Sequence, residues 1–378
     1  MQKKLNIEQL NLAMQEKGMT QTSVANALSV SKEAVSQWIN EKVFPRPNKL
    51  LQLGKLLNLN VKELVISTDN DMPRVAFRKM KGTKTKDFHV EKAQSIGYLL
   101  KQLTEYLPFD TLEVPPTLKK PNCDYSYLCQ VTSKVRKDIG IDDDTVITFQ
   151  HLIKRFKSLQ TVIIPVLWGS KNRHENAIHI YLPDSKTTWV YLNLDTNIHD
   201  FKFWMSHELG HCLSPSLDGD DAEDFADAFA SHILFPDKVC SKAYDGIVKL
   251  QSNTDRISKI LEWADKYVIS PITVYQQLNK FAVHSGKEKI EFSKSFYGAV
   301  TNFNKKYPNF SEALFTNRDK DACALSSDFI KIAEEGFETP IFSLISKYIK
   351  EKGKGASFIQ SVLDLSPLDA RSIYSELV

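Results

Sequence analysis

The chain has 378 residues, of which 42% are hydrophobic and 25% charged, with a formal net charge of +3. That length carries two or three domains with real cores, and the composition is that of an ordinary soluble globular protein. No apolar run reaches the roughly 18 residues a membrane span needs, and the N-terminus lacks the apolar core of a signal peptide, so a membrane partner is not expected.

The cysteines (Cys123, Cys129, Cys212, Cys240 and Cys323) are odd in number, scattered and without a C-x-x-C pair. Free thiols in a reducing cytoplasm fit them better than a disulfide framework. Charge is unevenly spread: residues 1–92 hold sixteen Lys and Arg against nine Asp and Glu, a surplus of seven that leaves −4 for the remainder. A basic N-terminal region on a near-neutral chain points to a local nucleic-acid contact.

Residues 5–66 read as a run of short helices. Leu5, Leu10, Leu12 and Met14 start an apolar stripe that stops at Gly18, a natural C-cap. Thr20 and Ser31 are good N-caps for the next two helices, with Val24, Ala25 and Leu28, then Val35, Trp38 and Ile39, at helical spacing. Ser29-Val30 is the tight turn, and small Ala25 allows a close crossing. Helix, short turn, helix is the geometry that places a second helix in the DNA major groove.

This segment, through PRPNKLLQLGKLLNLNVKELV, resembles the XRE family of lambda-repressor-like domains. The resemblance implies an all-α helix-turn-helix domain over residues 1–68 and a double-stranded DNA operator as partner. It implies Lys32, Glu33, Ser36 and Gln37 at base edges, with Gln21, Asn40 and Lys42 on phosphates or bracing the recognition helix. Glu41 stands where the family often has Gly. A small helical interaction module without DNA is the plainer alternative. A homodimer stays open.

Residues 69–92 are polar and basic without a sustained period, and read as a linker. Helices are expected in AQSIGYLLKQLTEYL, DYSYLCQVTSKVRKDIG and TVITFQHLIKRF. The period then changes. TVIIPVLWG, NAIHIYLP and TTWVYLNLD are β-branched and aromatic, split by polar turns, and make three candidate strands of a small sheet. The fold class expected is mainly α with a small β-sheet (α+β).

After the strands comes NIHDFKFWMSHELGHCL, a helix capped by Asp195 or Asn197, with Phe201, Met205, Leu209 and Cys212 on its buried face. It contains His207-Glu208-Leu209-Gly210-His211, the H-E-x-x-H pattern. Histidines four apart stack on one helical face and can share a tetrahedral ion. Glu208 is about 100° round the helix, where it can reach a water on the metal rather than the metal itself. A bound Zn2+ brings that water's pKa toward about 7, and a carboxylate can take its proton. Two unremarkable surface histidines are the alternative, so a third ligand is needed. Residues 221–236 give a second apolar helical face, and Glu223 lies twelve residues past His211 across a short loop. Packed antiparallel, that helix could bring Glu223 to the metal. Asp227, one turn on, is placed to hold the outer N–H of a ligating histidine. Many of the acidic residues nearby are simply solvated. His179, alternating with Ile178 and Ile180, could face the cleft; His232 sits on the wrong turn to share the Glu223 face.

YLNLD, HELGH and E-x-x-A-D-x-F-A-x-x-x-L-F-P together resemble the ImmA/IrrE family of zinc metallopeptidases, over about residues 75–285. Asp227 replaces the family's usual Asn and Phe235 its Met. The resemblance implies a zincin-like peptidase domain at 93–285 that cleaves a repressor or a neighbouring gene's product in stress, DNA-damage or mobile-element control. The alternative is a repressor or antitoxin whose peptidase-like domain binds a partner without turnover. Residues 286–378 show further helical patterns and no chemical motif; they suit a sensor, a partner-binding region or a helical cap.

Overall fold

The computed structural model describes residues 4–40, 43, 45, 47–59, 64–66, 72–77, 87–108, 116–169, 177–315 and 325–378. It divides into two compact units, Met1–Met72 and Pro73–Val378. The chain is mainly α-helical with a small four-stranded sheet. No helix among the described residues is long and apolar enough to cross a membrane.

In the first unit, α1 (Ile7–Glu16) begins at Asn6, whose side chain accepts from the Gln9 amide at 3.2 Å. It buries Leu10, Ala13 and Met14. Leu12, expected in that stripe, is 51% exposed, because two residues from Leu10 is about 200° of helix. Gly18, at φ +63°, takes the left-handed conformation that ends α1. Thr20 and Ser23 form a capping box on α2 (Gln21–Ala27), and Ser31 caps α3 (Lys32–Ile39) through the Ala34 amide at 3.1 Å. Ser29, at φ +50°, makes the turn between them. α4 (Pro47–Leu57) closes the core with Leu50, Leu53 and Leu57. The domain is not wholly α: β1 (Lys4–Leu5) pairs antiparallel with β2 (Val65–Ile66), tying its two ends together. Two residues per strand are too few to show a period in sequence.

The second unit is built on β3 (Arg74–Phe77), β4 (Thr161–Val166), β5 (Ala177–Leu182) and β6 (Thr187–Asn193), in the spatial order β3-β5-β6-β4. β4 and β6 run parallel; the other pairs are antiparallel. Every residue of β4 and β6 is buried, so helices cover both faces of the sheet. The linker expected at 69–92 needs correction. Residues 74–77 form the fourth strand and α5 (Asp87–Leu100) begins at 87; residues 69–71 and 78–86 lie outside the described residues. A four-residue strand followed directly by Arg78 and Lys79 reads as polar chain because its partner, β5, is a hundred residues away.

α6 (Tyr125–Asp138) and α7 (Phe149–Ser158) lie between β3 and β4, and α8 (Ile198–Leu213) and α9 (Gly219–Leu234) follow β6. Asn197, not Asp195, caps α8, accepting from the His199 amide at 3.1 Å. The helices from α10 (Asp237–Val248) to α18 (Pro367–Leu377) join the same hydrophobic core. The Trp168 indole donates to the Leu363 carbonyl at 3.1 Å, Tyr191 Oη to Val362 at 2.7 Å, and Thr339 Oγ1 to Ile163 at 2.5 Å. Thr339, Val362 and Leu363 thus bond to the sheet region, and described residues of 286–378 share its core, so the separate region drawn at 285/286 is not a structural boundary.

Candidate metal centre and nucleic-acid interface

α8 is buried on nearly all sides, between the sheet and α9. Gly210 sets how close α9 comes: a Cβ there would lie 3.0 Å from Ala226 Cα and 3.3 Å from Phe229 Cδ1. Lys202, 2% exposed, anchors the first half of the helix by donating to the Ile147 carbonyl at 2.9 Å and to the Tyr267 carbonyl. Neither residue was singled out in the sequence. A glycine inside a helix was the available signal for the first; a lysine among aromatics gives none for the second.

The close approach of α8 and α9 brings four of the expected side chains together. His207 Nε2 and His211 Nε2 are 3.0 Å apart. Glu223 puts Oε2 3.4 Å from the first and Oε1 3.3 Å from the second. His207 Nδ1 is 2.8 Å from Asp227 Oδ1. A hydrogen on Nδ1 donated to that carboxylate leaves the Nε2 lone pair aimed at Glu223 and His211. Two ring nitrogens and a carboxylate converging at this distance need positive charge, a proton or a cation, between them. His207, His211 and Glu223 form a group whose ligand atoms all lie within 4.8 Å of one another. For metal–ligand bonds of about 2.0–2.1 Å, tetrahedral geometry separates donors by about 3.3 Å, so the spacing suits a zinc-sized ion. Burial alone pushes the Glu223 carboxyl up, but the imidazoles of His207 and His211 outweigh it and bring it down to about 2. Glu208, between the histidines in sequence, is 1% exposed.

His179 on β5 faces this cluster: its ring centroid is 5.6 Å from that of His211, and its Nε2 is buried with no hydrogen-bond partner among the described residues. Burial, with His211 beside it, pushes its pKa down to about 3. His232 stays apart, bonded to the Ala228 carbonyl at 2.8 Å and edge-on to Tyr125. Cys212 is a buried thiol against Thr161 Oγ1 at 3.8 Å, pushed up to about 12 by burial.

In the first unit, Lys32, Glu33, Gln37 and Asn40 are exposed along α3 and Ser36 is half-buried, while Val35 and Trp38 fill the core behind them. Gln21, half-buried, opens α2. Asn40 Nδ2 donates to the Ser36 carbonyl at 2.8 Å and reaches its Oγ at 3.2 Å, closing the end of α3. Lys42 lies outside the described residues.

Residues 10–64 match the family model described as helix-turn-helix. The N-terminal unit is an XRE-type helix-turn-helix. The chain thus carries the module of a regulator that binds double-stranded DNA, with α3 in the place of the recognition helix. The match ends at residue 64, before the second unit begins. No curated protein and no solved structure matches the chain.

Proposed function

We propose that this DNA-binding regulator carries, in its second unit, a zinc-dependent endopeptidase that cleaves a protein substrate such as a repressor or a neighbouring gene's product. The observation that supports it is the convergence of His207, His211 and Glu223 at 3.0–3.4 Å, with Asp227 on the outer nitrogen of His207. Two imidazoles and one carboxylate, leaving a fourth position open, are a donor set suited to catalytic zinc. A zinc ion bound there supplies Lewis-acid polarisation of a carbonyl and makes water a better nucleophile. The rest falls to the chain. Asp227 keeps the His207 proton on Nδ1, so that Nε2 remains a ligand. Glu208 takes a proton from water on its carboxylate and returns it to the departing amine, as the peptide C–N bond breaks and the water oxygen joins the carbonyl carbon. A site for zinc without turnover has no use for that base.

In this reading Lys32, Glu33, Ser36 and Gln37 read base edges, and Gln21, Asn40 and Lys42 contact phosphates or brace α3. The test is zinc content and cleavage in one preparation. Purified protein should hold about one zinc per chain. Glu208→Gln should retain it, bind DNA as before, and lose cleavage of the co-expressed neighbouring gene product. Stoichiometric zinc in both His207→Ala and His211→Ala would remove the site; equal cleavage by Glu208→Gln would remove the mechanism.

A further inference from the structure

β5 is the strand that carries His179 toward the cluster, and its outer edge is already taken. β3 lies antiparallel along it, with Val75 opposite Ile180 and Ala76 opposite His179. Alternation assigns the faces. A Cβ on Gly97 of α5 would lie 3.3 Å from Ile180 Cγ2, so Ile180 and Val75 face α5. His179 points the other way, its ring against that of His211, and Ala76 shares its face. α9, the helix that carries Glu223 and Asp227, packs against β3 as well.

β3 thus lies where an extended peptide would have to add to reach the cluster by main-chain pairing. Strand addition to an open sheet edge draws its affinity from backbone hydrogen bonds and its specificity from alternate side chains. Here the opposite edge of the sheet, β4, is covered: Thr339 donates to its Ile163 carbonyl and α16 (Ile341–Lys352) packs on it. β3 is the less firmly held border. It is four residues long, Arg74 is exposed, and Val75 and Ala76 are only half-buried, whereas every residue of β6 is buried.

We propose that the outer edge of β5 is the binding groove for an extended peptide, and that β3 is its resting occupant, a strand of this chain that must leave before a substrate segment adds. The inference rests on the peptidase reading of the cluster. It also names the kind of segment the groove takes: extended, pairing antiparallel with β5, with a small residue in the place of Ala76, opposite His179.

The probe is a fluorescein-labelled peptide of residues 73–79, PRVAFRK, followed by anisotropy with the full-length chain, both with zinc and after chelation. Adjacent residues of an antiparallel strand alternate in ladder bonding, so Val75→Pro with Ala76→Pro removes at least one amide that β3 donates to β5. The double variant should bind the peptide about tenfold more tightly than the wild type, because a groove free only a tenth of the time weakens apparent affinity by that factor. Equal binding overturns the proposal. A reversible lock gives a second measurement: Val75→Cys with Ile180→Cys should bind no peptide when oxidised and regain wild-type binding when reduced with a phosphine. Undiminished binding by the locked form overturns it too. Should the proline variant misfold, amide exchange on the wild type decides. β3 should exchange faster than the β5–β6 ladder, and equal protection of the two overturns the idea. Peptide that binds but is never cut leaves the groove standing and removes the peptidase reading. Zinc-dependent cleavage with no peptide binding does the reverse.

Discussion

His207 Nδ1 and Asp227 Oδ1 lie 2.8 Å apart, joining α8 to α9. Glu223, one turn earlier on α9, reaches the inner nitrogens of both histidines. One helix therefore supplies a candidate ligand and the group that orients another. Their substitutions should differ in rank. Glu223→Ala should lose zinc steeply, whereas Asp227→Ala should cost about 10–100-fold in affinity, the usual scale for a partner that only orients a ligand. Zinc titration with circular dichroism as a folding control measures both. Abolition by Asp227→Ala with Glu223→Ala untouched would move the third ligand to Asp227.

Gly210 should be intolerant of the smallest substitution. Gly→Ala inside a helix ordinarily gains about 1 kcal/mol. Here the added Cβ meets the α9 backbone 3.0 Å away, and overpacking costs about 1–3 kcal/mol. Gly210→Ala should melt no higher than the wild type and bind zinc more weakly, because α9 carries Glu223. A variant that is both more stable and equally tight for zinc defeats this account of the helix contact.

Lys202 should give the fold a measurable pH signature. Burial, followed by the charge of Arg136, holds its ammonium down to about 7 from an ordinary 10.5. Between those values the unfolded chain binds a proton that the folded chain does not, so this group's contribution to stability rises with pH across the window. Lys202→Met should be the less stable protein at pH 9.5, since the Ile147 and Tyr267 carbonyls lose their donor. Its deficit relative to the wild type should widen from pH 6.5 to pH 9.5. A deficit constant over that range, in denaturant titrations, removes the assignment.

DNA binding should weaken steeply with salt, as counterions released from phosphates return. Gln37→Ala should lose sequence discrimination by about 1–3 kcal/mol if that side chain makes a bidentate base contact. Lys42→Ala should weaken all sequences evenly. Asn40→Ala opens the bonds to Ser36 at the end of α3 and should lower affinity and helix stability together. Footprinting upstream of the chain's own gene is the direct assay, and no preference for any of that DNA would contradict the regulator reading.

Local chemistry made much of this protein readable from its sequence. Thr20, Ser31 and Asn197 cap the helices they precede, because a cap is decided by a side chain and amides two or three residues away. The three main strands announced themselves by β-branched runs, and His207 and His211 share a face because four residues are about one helical turn. The spacing of Glu223 also suggested its place, though only the tertiary fold brought it there. What the sequence could not carry was pairing across distance. Whether residues 74–77 form a strand depends on β5, a hundred residues on, and whether 286–378 stand apart depends on Trp168, Tyr191 and Ile163 finding carbonyl and hydroxyl partners there. The same holds for Gly210 and Lys202. One matters for the Ala226 backbone it admits, the other for two carbonyls 55 and 65 residues away, and neither partner leaves a mark on the residues beside it.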